Sequence, residues 1–128
     1  MQRMKLTTLL FLISGITMAI IHGIALELSL YWVYQPLDIP MHFLGGAVSA
    51  LLVFTLRDLG IPGASYVASS LTRTMIFVIL VMLSWEGFEV VFDIMVEGNY
   101  LTDTVIDLVM GFLGGMVGYL VASRIQMI

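Results

Sequence analysis

The chain has 128 residues, of which 60% are hydrophobic and 11% charged, with a net charge of −4 and no cysteine; its mean hydropathy is +1.07. Soluble domains carry about 25% charged residues, so this composition excludes an ordinary soluble domain. The acidic balance gives no basic surface for nucleic acid, and the lack of cysteine excludes disulfide and thiolate chemistry.

A bilayer span needs roughly 20 apolar residues, so one membrane domain of four spans is predicted, an all-α transmembrane four-helix bundle in the cell membrane. Span 1 is placed at about residues 6–26, an apolar run behind Arg3 and Lys5. A cleaved signal peptide is the rival reading, but the run is long for one, and Gly23-Ile24-Ala25 is only a fair cleavage site. Residues 27–40 form a loop in which Tyr31, Trp32 and Tyr34 suit the bilayer interface. Pro40 suits the first turn of span 2, about residues 39–56. The segment 57–73, with Gly60, Pro62 and Gly63, reads as a loop. Span 3 covers about residues 74–95, Glu97-Gly98-Asn99 make a tight connection, and span 4 covers about residues 101–123.

The five basic residues are Arg3, Lys5, Arg57, Arg73 and Arg124. All fall at the termini or between spans 2 and 3, which four spans place on one side. The positive-inside rule makes that side, and both termini, cytoplasmic. The same orientation gathers the polar groups of all four spans in the outer half of the membrane: His22, Asp38 and His42, then Glu86, Glu89 and Asp93, then Asp103 and Asp107.

Helical spacing puts these groups on packing faces. Glu86, Glu89, Asp93 and Glu97 share an arc of roughly 80°. Asp103 and Asp107 share a stripe with Gly111, Gly114 and Gly118, and the pairs Gly111/Gly115 and Gly114/Gly118 are both GxxxG. His42 shares a face with Gly45, Gly46 and Ser49, and His22 lies beside Gly15, Ala19 and Gly23. A charged side chain at the bilayer centre costs about 2.5–3.5 kcal/mol on insertion scales, and no Lys or Arg lies within a span. The acids therefore require protons, water, the histidines or a bound cation. Inward carboxylates with imidazole are ligand types of divalent metal sites. The expected metal ligands are His42, Glu86, Glu89, Asp103 and Asp107, with Glu86 or Glu89 as a catalytic base. Plainer readings stay open: protonated acids bonded to neighbouring helices, Asp38 and Asp103 as helix-start residues, His22 as a packed, hydrogen-bonded residue, and the ten methionines as filler.

Three segments, PMHFLGGAVSALL (40–52), WEGFE (85–89) and DTVIDLVMGFLGGMVG (103–118), resemble the VanZ-like group of small membrane proteins. The matching positions are His42-Phe43, Glu86, Asp103, Asp107, Gly114 and Gly118. Glu89 stands where VanZ proper tends to have Gln, and Gly111 where the family usually has Asn. The resemblance implies a cell-envelope membrane protein but no established reaction. Metal-dependent hydrolysis or transfer on a lipid-linked or envelope substrate is the favoured function. A proton- or cation-coupled transporter and a structural subunit of a membrane complex are the alternatives.

Overall fold

The structure, a computed structural model, describes residues 5–92 and 99–126. Asp93 and Glu97, and with them the acids' shared arc beyond Glu89, lie outside the described residues. The chain is built from α1 (Leu6–Glu27), α2 (Leu30–Val33), a 3-10 turn (Gln35–Leu37), α3 (Asp38–Asp58), α4 (Ala64–Ala68), α5 (Leu71–Val91) and α6 (Tyr100–Gln126). No strand occurs among the described residues. Four of these helical segments are long and apolar enough to cross a membrane. Hydrocarbon offers no partner for backbone N–H and C=O groups, and a helix satisfies them within the segment.

The interface of α3 with α6 is the most extensive, and α1 and α5 flank it. Backbone proximity explains this. A Cβ added to Gly114 would overlap the carbonyl oxygen of Phe43, and one on Gly118 would stand 2.6 Å from that of Ala47. The second small-residue pair serves a different neighbour: Gly111 faces Met82 of α5, and Gly115 faces Val78. The two interleaved GxxxG pairs thus seat α6 against α3 and α5 respectively. On α1 the small-residue face is used only in part. Gly15 packs near Val48, but nothing lies within 4 Å of a Cβ at Gly23. Most of the large side chains of α1 are exposed, as expected of a helix facing lipid.

Helix boundaries differ from the sequence expectation where local chemistry intervenes. The third span begins at Leu71 instead of Thr74, because the Ser70 hydroxyl accepts from the Arg73 backbone N–H at 3.4 Å and caps it. The two expected loops each contain a short helix, α2 after Ser29 in the left-handed region (φ 55°) and α4 after Gly63 (φ 84°). Tyr31, expected at the interface with Trp32 and Tyr34, is instead buried, while those two remain exposed. The α2 turn aims its hydroxyl at His22, 2.7 Å away.

The apolar core, with Leu51, Phe54 and Ala122 in one cluster and Ala50, Met75 and Val78 in another, lies along α3, α5 and α6. At the end of α3, Asp58 accepts from Thr7 Oγ1 at 2.7 Å, Arg57 Nη2 at 2.7 Å and Lys5 Nζ at 3.2 Å. Arg57 also donates to Gln126. This clasp joins the start of α1, the end of α3 and the end of α6, so both ends of the described chain lie at one end of the bundle.

Candidate functional site

The opposite end of the bundle holds His42 with Asp38, Glu86 and Asp107. Asp38 and His42 stand one turn apart at the start of α3. The sequence makes this a natural pair: i and i+4 side chains meet on a helix, with the acid toward the N-terminus. His42 Nε2 lies 3.2 Å from Asp38 Oδ1 and 3.4 Å from Asp107 Oδ2 of α6. Its other nitrogen, Nδ1, faces Glu86 Oε1 of α5 at 3.9 Å. Helices α3, α5 and α6 each contribute, and the glycine contacts of α6 bring α3 and α5 close enough for short carboxylates to meet one ring.

Burial is nearly complete: relative exposure is 4% for His42, 5% for Glu86, 7% for Glu89 and 1% for Asp107. Three buried side-chain oxygens or nitrogens lack a hydrogen-bond partner among the described residues, and two of them, Glu86 Oε1 and Asp107 Oδ1, are in this cluster. A buried acceptor without a donor costs about 1–3 kcal/mol, more when charged. The described basic side chains do not reach the cluster. Arg57 lies at the far end of α3, roughly 22 Å along the helix from His42 at 1.5 Å per residue. Lys5 is committed to Asp58, and Arg73 stacks 3.9 Å over Tyr66 while donating to the Tyr66 carbonyl.

Among the described residues, two sets of three offer ligand atoms within 4.8 Å of one another: Asp38, His42 and Asp107, and His42, Glu86 and Glu89. An imidazole Nε2 carries at most one proton, yet two carboxylate oxygens converge on it here. A cation among Asp38, Asp107 and Nε2 would satisfy both acids. Glu86 would then stand behind Nδ1, where a carboxylate orients a metal-binding imidazole. The donor set of carboxylates and one imidazole fits a divalent ion.

Of the expected ligands, His42, Glu86, Glu89 and Asp107 are brought together. Asp103, half-buried one turn before Asp107 on α6, is in neither set. Asp38, expected as a helix-start residue, belongs to the cluster; its i, i+4 spacing to His42 was the available signal. Thr104, which donates to Glu86 Oε2 at 3.2 Å, was also missed. Its distance of 18 residues from Glu86 leaves no periodic trace. His22 is a hydrogen-bonded residue, paired with Tyr31 and edge-on to Trp85 with ring centroids 5.6 Å apart. Burial pushes the Tyr31 phenol up to about 12, with the charges of Asp38 and Glu89 acting in the same direction.

Glu89 differs from Glu86 in its surroundings. It accepts from Trp85 Nε1 at 2.9 Å and lines a cavity of about 330 Å³, which Asp38 and His42 also border. The cluster thus has a buried side among three helices and an accessible side on the cavity. The chain matches no protein-family model, no curated protein and no solved structure.

Proposed function

We propose that this is a VanZ-like integral membrane protein whose carboxylate–imidazole cluster holds a divalent cation and acts on a lipid-linked or cell-envelope substrate by hydrolysis or group transfer. The observation that carries this reading is the convergence of Asp38 and Asp107 on one His42 nitrogen, with Asp107 Oδ1 and Glu86 Oε1 lacking partners. Likeness to the VanZ-like group rests on the three sequence segments alone. The placement of the basic residues at the Asp58 end favours a cytoplasmic location for that end and an outward-facing cluster.

In this reading Asp38, His42 and Asp107 are the ligands, and Glu86 orients the imidazole. A divalent ion supplies polarisation of a substrate oxygen or activation of water. Glu89, on the cavity side, is the general base; its bond from Trp85 fixes the carboxylate's position. The test is turnover of envelope lipids by reconstituted protein. Chelation should abolish turnover and Mn²⁺ should restore it. Glu89→Gln should lower turnover about 10²-fold or more while metal is retained. Turnover indifferent to chelation, or no turnover by metal-loaded protein across an envelope-lipid extract, would overturn the reading.

A further inference from the structure

The cavity beside the cluster has its own chemistry. It lies between α1, α3 and α5, where α1 packs on α3 but makes no extensive interface with α5. Met18 and Met82 help form its apolar wall, and Asp38 and Glu89 form its polar end beside Tyr31 and Trp85. Among the described residues no Lys or Arg borders it.

We propose that this cavity binds a hydrophobic cation: an amphiphile with an apolar chain and a primary-amine or quaternary ammonium head. This rests on the reading of the cluster as the functional site, and it names the substrate class that site takes. Four carboxylates, Asp38, Glu86, Glu89 and Asp107, surround one imidazole. One divalent ion leaves that set short of positive charge, so a second cation at the cavity end is favoured and an anionic head is repelled. The Trp85 indole donates to Glu89 at 2.9 Å and stacks on Phe88 at 5.4 Å between centroids. A fixed aromatic ring next to a carboxylate attracts an ammonium through both charge and ring quadrupole. The chain contributes access more than affinity, because lipid tails are as apolar as the cavity wall. Discrimination therefore resides in the head group.

The test uses the Trp32→Phe protein, which leaves Trp85 as the sole tryptophan, reconstituted in vesicles of an uncharged glycolipid that offers no competing ammonium head. Trp85 fluorescence is followed during titration with dodecyltrimethylammonium, dodecyl sulfate and dodecyl maltoside, with chelator present and again with Mn²⁺. The expected result is a saturable response to the ammonium surfactant alone. Glu89→Gln should weaken it about tenfold or more, and Ser84→Ala, on the exposed face of α5, should leave it unchanged. Equal responses to all three surfactants, or an unchanged ammonium response in a folded Glu89→Gln protein, would overturn the proposal. Should Glu89→Gln not fold, the ranking of the three surfactants on the parent protein decides alone. Ammonium selectivity in chelator by a protein that binds no Mn²⁺ would support this proposal while the metal reading failed. Mn²⁺ binding without ammonium selectivity would do the reverse.

Discussion

The carbonyl oxygen of Gly111 on α6 occupies the space that a Cβ on Gly46 of α3 would need. The same relation recurs one turn away between Gly114 and the carbonyl of Phe43, so two helices meet backbone to backbone beside His42 and Asp107. Because the obstructing atom is backbone, no rotamer change relieves an added side chain. Gly46→Ala and Gly114→Leu should each destabilise the bundle by about 3 kcal/mol or more, at or above the upper end of ordinary overpacking. Gly23→Ala, with open space around it, should be neutral or stabilising by about 0.5–1 kcal/mol. Thermal unfolding in detergent measures all three; a neutral Gly114→Leu would contradict the packing described.

The Asp58 clasp predicts a second effect. Its carboxylate takes three charged or hydroxyl donors with only 3% of the side chain exposed. Asp58→Ala strands the Thr7 hydroxyl and removes the tie between α1 and α3. A loss of about 1–3 kcal/mol is expected, read by detergent unfolding, with Thr7→Val costing less because Lys5 and Arg57 remain on the acid.

The four spans were legible in the sequence because a helix in hydrocarbon must be long and apolar. The inward acids were legible because Asp107 shares a stripe with the packing glycines of its span, and Glu86 and Glu89 fall on one arc at helical spacing. Local signals gave less. Ser70 is a recognisable cap, yet the glycine- and serine-rich context of residues 57–73 concealed it. The burial of Tyr31 depends on a left-handed turn at Ser29, which nothing in the residue type demands. Asp58 meets Thr7 across 51 residues, a relation fixed by tertiary packing alone. On composition its basic partners, Lys5 and Arg57, read as topological charges, although the structure gives them a structural acid as well.

Tyr31 supplies a pH-dependent prediction. Its phenol is raised from 10.0 to about 12, so folding favours the protonated form. The associated stability is fully present below pH 10 and is lost as pH rises through 12. Ultraviolet titration should show a late-ionising phase from Tyr31. Tyr31→Phe should remove that phase. Its persistence in the variant would assign it elsewhere.

The central claim is that a divalent cation resolves the buried charge around His42. The most direct measurement is elemental analysis of purified protein after dialysis against Mn²⁺ or Zn²⁺, alongside Asp107→Asn and Glu86→Gln proteins with unfolding recorded on the same samples. The account predicts about one ion per chain for the parent. It predicts loss of the ion from a folded Asp107→Asn protein and affinity lowered about 10–100-fold by Glu86→Gln, which removes the carboxylate behind the imidazole. A parent protein that binds no metal, with both amide variants as stable as the parent or more so, would contradict it and would show that the acids are buried in their neutral form.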